Sequence, residues 1–220
     1  TNPCRARGID PHGSGCETGP TGGVGGDDGP AIGDPNFVFP ISLVPDSEAR
    51  DVELAVTAAE KAFPSWSKTS AADRSRMLLR IADLIERDLE KLARAESIDT
   101  GKPLSLARSL DIPRAASNFR FFATAILHTE NEAHVTDGVA FNYTLRQPRG
   151  IAGLISPWNL PLYLLSWKIA PAIAVGNTAI AKPSELTPMT AFLLCELCAE
   201  AGLPNGVLNT DGRNTLALAV

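Results

Sequence analysis

IAGLISPWNLPLYLLSWKIAPAIAVGNTAIAKPSE, residues 151–185, decides the fold. It opens with a short apolar run, Ile151–Ile155, stopped by Pro157. That length and that stop predict a buried strand. Leu160–Val175 is apolar on most faces and carries Lys168, as expected of a helix packed on a sheet. Gly176-Asn177 closes it as a helix C-terminal cap. Thr178–Ala181 is a second buried strand. The unit is β-α-β, so its strands run parallel with a right-handed crossover. Asn159 lies just past the carboxyl end of the first strand, and Lys182, Ser184 and Glu185 just past that of the second. Open parallel sheets bind ligands at that edge.

Outward from this unit the chain divides into regions. Residues 1–43 form a Gly-, Asp- and Pro-rich leader too poor in large apolar residues to fold, so disorder is expected. Its GGVGGDDG run has neither a strand before it nor a helix after it, which argues against a phosphate cradle. Residues 44–130 predict helices. The first runs from Pro45-Asp46-Ser47 to about Ala62 and breaks at Phe63-Pro64-Ser65-Trp66. The second is capped by Ser70 with Asp73 and runs to about Ala95, with Arg74, Arg76, Arg80, Asp83, Glu86 and Arg87 on a solvated face. After a turn at 99–103, Leu104–Leu127 forms one or two more helices around Pro113. In residues 131–150 the alternation of Val139–Arg149 predicts a half-exposed strand, paired through Asp137-Gly138 with a strand at His134-Val135. Thr187-Pro188 starts a helix over Met189–Ala201, with Thr187 as cap and proline first, and Gly202 ends it. Val207–Asn209 begins a third strand, and residues 210–220 diverge.

A hydrophobic content of 44%, a charged content of 20% and a net charge of −5 fit a globular protein and argue against a nucleic-acid or anionic-membrane surface. Pro161, Lys168 and Pro171 interrupt the best candidate for a membrane span. Cys195-x-x-Cys198 has no second ligand pair, so no metal site is expected. Both sulfurs sit on an apolar face with Phe192, Leu194 and Leu197 and read as core.

Pro157-Trp158-Asn159, Trp167-Lys168 with Ala170-Pro171-Ala172, Gly176-Asn177, Lys182-Pro183-Ser184-Glu185 and Thr187-Pro188 occur here in one series. In that series the chain resembles the NAD(P)-dependent aldehyde dehydrogenase family, from about Val44 to Asn209. Ile112-Pro113-Arg114, Asn118–Ala123 and Leu160–Trp167 resemble members that act on a semialdehyde. The resemblance implies a partial doubly wound, Rossmann-like parallel sheet with an N-terminal helical region and a hairpin arm. It implies NAD as cofactor, an aldehyde as substrate, a cytoplasmic homo-oligomer, and an arm that reaches a neighbouring subunit.

By the same resemblance Asn159 is the amide donor of an oxyanion hole, although asparagine also caps helices well. Lys182 and Glu185 match contacts to the adenosine ribose. A carboxylate there favours NAD over its 2′-phosphorylated form. The alternatives for this pair are a solvent-facing strand end and a first-turn helix acid. Ser184 joins them, and Ile155, Ser156, Pro157 and Trp158 line the cofactor. Leu160, Tyr163, Leu164 and Trp167 match a substrate tunnel or else form plain core. Arg114 is placed to grip a substrate carboxylate, and Arg120 reads as ion-paired. The family's nucleophilic cysteine and general-base glutamate motifs are absent from these 220 residues. The chain is therefore expected to be the N-terminal part of such an enzyme, inactive alone, or else an isoform that acts by association.

Overall fold

The computed structural model describes residues 47–210. The leader over 1–43, the helix start at Pro45-Asp46 and the tail over 211–220 lie outside them. Helix α1 (Ala49–Trp66) begins at a reciprocal box in which the Glu48 N–H donates to the Asp51 carboxylate at 2.9 Å. The expected break at residues 63–66 does not occur, and the helix runs through Pro64. Tertiary packing outweighs the local cost of proline. Trp66 is 1% exposed and donates its indole N–H to the Ile173 carbonyl at 3.2 Å, which holds the last turn.

The long second helix is also corrected. It is two helices, α2 (Ala71–Arg87) and α3 (Leu89–Thr100), which meet at Asp88 (φ −97°, ψ 20°). Arg87 pairs there with both Asp88 and Glu200, and the apolar spacing passes through the joint unbroken. Periodicity alone therefore cannot register the bend. Ser70 caps α2, accepting the Asp73 N–H at 3.1 Å and donating to its carboxylate at 2.6 Å. Arg74 is not on a solvated face. It is half-buried and donates to the carbonyls of Ala174, at 2.7 Å, and Thr69. Its burial lowers its pKa. Arg120 is ion-paired as expected, with Asp83 at 2.8 Å and Glu86 at 2.6 Å.

Gly101, at φ 73°, ends α3 in the left-handed conformation. A short helix α4 (Leu104–Leu106) then passes through a π-helical turn, Ala107–Asp111, into α5 (Ile112–Ala125), with Pro113 in its first turn. Strands β1 (Ala133–Thr136) and β2 (Ala140–Tyr143) pair antiparallel, Ala133 with Tyr143 and Thr136 with Ala140. The strand expected over 139–149 is thus shorter, and it is exposed on both faces rather than one. Alternation marks two faces, but it does not say that another element covers either of them.

The central unit follows as β3 (Ile151–Ile155), α6 (Pro161–Ala174), β4 (Thr178–Lys182), α7 (Met189–Glu200) and β5 (Leu208–Thr210). The three strands form an open parallel sheet in the order β3-β4-β5, which agrees with the expected α/β class. Central β4 is buried throughout. β3 is not the buried strand that its composition suggests. Among the described residues it is an edge strand, with Ile151 37% and Ile155 40% exposed. Successive β4 side chains point to opposite faces, so both faces are covered. Ile180 packs with Ala55 and Ala59 of α1, while Ala179 and Ala181 join the main core beneath α6 and α7. α6 ends as expected, Gly176 (φ 91°) donating to Ile173 and Asn177 to Ala172.

Two details of α7 differ from expectation. Its N-cap is Pro188, not Thr187, and the Met189 N–H is taken by the Asp99 carboxylate of α3 at 2.8 Å. Phe192 is 43% exposed, although Cys195 and Cys198 are buried as expected. α7 is apolar around most of its circumference, so periodicity does not select its inner face.

Candidate active site

The register fixes where the candidate residues meet. Ile155 and Lys182 end β3 and β4 side by side, and the Ser156 N–H donates to the Lys182 carbonyl at 3.0 Å. Because the strands are parallel, both following loops leave the same edge. One loop holds Ser156, Pro157, Trp158 and Asn159, and the other holds Ser184 and Glu185. Pro157, Trp158 and Asn159 are exposed, while Ser156 is buried. Its hydroxyl finds no hydrogen-bond partner, an uncommon state for a buried polar group and one that suits a bound molecule. Lys168 of α6 donates to the Ile155 carbonyl and ties the helix to the strand end.

Asn159 does not cap α6. The N-cap position is Leu160, and no side chain bonds the first turn from that position. The side-chain amide thus stays at the exposed edge. The Lys102 ammonium donates to the Asn159 backbone carbonyl at 3.4 Å.

Lys182 is no solvent-facing strand end. It is 3% exposed, and its ammonium donates to Glu185, 49% exposed, at 3.2 Å. Glu185 is not a first-turn helix acid either, because α7 begins four residues later. Ser184 accepts the Leu186 N–H at 3.2 Å and shapes the turn between them. A buried cation and a half-exposed carboxylate therefore meet on the edge that carries Asn159. Ribose hydroxyls are matched by such a donor and acceptor.

A second group lies between α5 and α6. A cleft of about 430 Å³ is lined by Arg114, Ser117, Asn118, Phe121, Phe122 and Trp167. Arg114 donates weakly to the Tyr163 hydroxyl at 3.4 Å and lies 5.8 Å from the ring centroid. Tyr163 meets Trp167 edge to face, centroids 5.9 Å apart. The structure thus gathers Arg114, Tyr163 and Trp167. Leu160 and Leu164 stand one turn apart at the start of α6, half-buried and outside the cleft lining. Ser117, Phe121 and Phe122 form a wall that the sequence reading left out. Their spacing along a helix was the available signal. The described cysteines, Cys195 and Cys198, are in the α7 core, and no metal-binding cluster occurs among the described residues.

The aldehyde dehydrogenase family profile matches residues 34–214. The 2-aminomuconic semialdehyde dehydrogenase of Danio rerio is 59% identical over 167 residues, which cover 76% of this chain and 34% of that protein. The 2-hydroxymuconic semialdehyde dehydrogenase of Pseudomonas sp. (strain CF600) is 46% identical over 174 residues, 77% of this chain and 36% of that protein. The crystal structure of PnpE in complex with nicotinamide adenine dinucleotide superposes with a TM-score of 0.76 at 45% identity, over 78% of this chain and 36% of that one. The crystal structure of PnpE from Pseudomonas sp. WBC-3 also superposes with a TM-score of 0.76 at 45% identity, over 79% of this chain and 36% of that one. The chain spans about a third of the length of the curated relatives it matches.

Proposed function

This chain belongs to the aldehyde dehydrogenase family, and we propose that it supplies the oxyanion-binding amide and the ribose-binding edge of an NAD-dependent enzyme oxidising a semialdehyde to its acid. The register of Ile155 with Lys182 carries the reading, because it sends both functional loops to one edge of the sheet. In such a reaction a thiolate adds to the aldehyde carbonyl and negative charge grows on the oxygen. The Asn159 amide donates to that oxygen. One such donor is worth about 3–4 kcal/mol in the transition state. NAD, when bound, supplies the hydride acceptor. Lys182 and Glu185 hold its ribose, Ser184 shapes their turn, and Ile155, Ser156, Pro157 and Trp158 line it.

The unpartnered Ser156 hydroxyl and the Lys182–Glu185 pair suit such a cofactor. Arg114 receives a substrate carboxylate in the cleft beside Tyr163 and Trp167, and Leu160 and Leu164 line the path to Asn159. Cys195 and Cys198 are buried in the α7 core, and this reading gives neither of them the nucleophile's role.

Calorimetric titration tests the reading. NAD binds the chain more tightly than NADP, and Glu185→Gln narrows that preference by about tenfold, or 1.4 kcal/mol. Equal affinity for the two in the unsubstituted chain, or no binding of either, overturns it.

One observation favours a second role in association. Val135, Val139, Phe141 and Tyr143 are all exposed on the hairpin. Sedimentation then shows a dimer that Phe141→Lys dissociates. A monomer at all concentrations refutes this role.

A further inference from the structure

Beneath the candidate edge lies a group of charged side chains with no part in the reading so far. Glu96 of α3 and Asp111 are wholly buried, and Lys102 is half-buried. The Lys102 ammonium bonds Asp111 at 2.6 Å and stands 3.6 Å from Glu96. Its remaining polar neighbour is the Asn159 carbonyl, at 3.4 Å. Of its three donors two are thus taken, by Asp111 and by the Asn159 carbonyl, while Glu96 stands just beyond hydrogen-bond reach and acts through its charge.

The same helix governs the start of both edge helices. Glu96 accepts the Thr190 hydroxyl of α7 at 2.9 Å, and the Leu162 N–H in the first turn of α6 favours its ionised form. One turn on, Asp99 takes the Met189 N–H of α7. Neither α6 nor α7 is capped by its own N-cap side chain. α3 thus anchors the helix that follows the Asn159 loop and the helix that follows the Lys182–Glu185 loop.

The loop is tied at its start by the Ser156 N–H, which donates to the Lys182 carbonyl, while Pro157, Trp158 and Asn159 beyond it are exposed. An oxyanion donor acts only when held to within about 0.5 Å of its working position. We propose that Lys102, clamped between Asp111 and Glu96, is a positioning residue that fixes the Asn159 loop by its backbone carbonyl. This inference rests on the reading of Asn159 as the oxyanion donor. It gives a half-buried lysine, which meets the loop only through a backbone carbonyl, control over the reach of that donor.

Amide hydrogen exchange of the full chain, with urea unfolding alongside, tests the inference. Lys102→Met keeps the length of the side chain and removes its charge. It speeds exchange at Ser156, Trp158, Asn159 and Leu160 by about tenfold while the α2 core is unchanged. Lys102→Arg, which keeps the charge, stays within about threefold of the unsubstituted chain. Asp111→Asn, which loosens the clamp without emptying the site, falls between them and stands in if Lys102→Met does not fold. Unchanged exchange at residues 156–160 in the charge-removing variants overturns the proposal. So does acceleration spread evenly over the whole chain. The reading of this edge fails separately: no binding of NAD by the unsubstituted chain refutes it and leaves the exchange result as measured.

Discussion

Asn118→Ala probes the joint on which the cleft wall is built. Asn118 is almost fully buried on α5, and its amide makes two bonds to α6, to the Ser166 hydroxyl at 2.9 Å and to the Tyr163 carbonyl at 3.2 Å. Each contributes about 0.5–1.5 kcal/mol net, so their joint loss costs about 2 kcal/mol. The cost does not rise further, because the Tyr163 carbonyl keeps the Ser166 hydroxyl as donor at 2.7 Å and is not orphaned. With a urea slope of roughly 2 kcal/mol per molar, the midpoint falls by about 1 M. A double-mutant cycle with Ser166→Ala isolates the interhelical part, with an expected coupling of about 0.5–1.5 kcal/mol. Near-ultraviolet circular dichroism follows Tyr163 and Trp167, whose edge-to-face contact loosens with the joint. A loss below about 0.5 kcal/mol, or a strictly additive cycle, refutes the reasoning.

Gly206→Ala is costly: at φ 86° its new Cβ would lie 2.5 Å from the Ala58 carbonyl oxygen. Strain and crowding together cost about 2–4 kcal/mol by chemical denaturation. Gly138→Ala, at φ 69° with open space around it, costs about 1 kcal/mol, and equal losses at the two positions contradict the packing argument. Glu96 contributes a pH dependence. Burial, opposed by the Thr190 hydroxyl and by Lys102, holds its carboxyl above the ordinary value of 4.5, with Asp111 raising it further. An acid raised on folding contributes stability that is full below its unfolded value and lost as pH rises through the folded one. Urea midpoints should therefore fall as pH rises above the ordinary carboxyl value more steeply in the unsubstituted chain than in Glu96→Gln. Parallel profiles would exclude Glu96 as the source.

The β-α-β unit was legible because its signals are local. An apolar run, a glycine cap at Gly176 and a second apolar run need only their neighbours to be understood. What composition could not show was that β3 is an edge strand among the described residues, since burial depends on what lies beside it. Pro64 and Asp88 misled in opposite directions. Proline marked a break that Trp66 overrides from across the fold, and unbroken periodicity hid the joint that Arg87 and Glu200 make. Asn159, Lys182 and Glu185 stood out as polar residues at strand ends, yet the burial of Lys182 follows only from the sheet around it. The Glu96–Lys102–Asp111 group escaped notice because its partners, Asn159 and Thr190, are 57 and 94 residues away in sequence. Cofactor and reaction type came from the resemblance, never from periodicity.

The central claim is that the Asn159 loop and the Lys182–Glu185 loop face one dinucleotide. Titrating the isotope-labelled chain with NAD while recording amide resonances tests it most directly. The account predicts that Ser156, Trp158, the Asn159 side chain, Lys182, Ser184 and Glu185 shift together along one saturation curve. Shifts confined to a single loop, or centred on the opposite strand ends at Ile151 and Thr178, would contradict it.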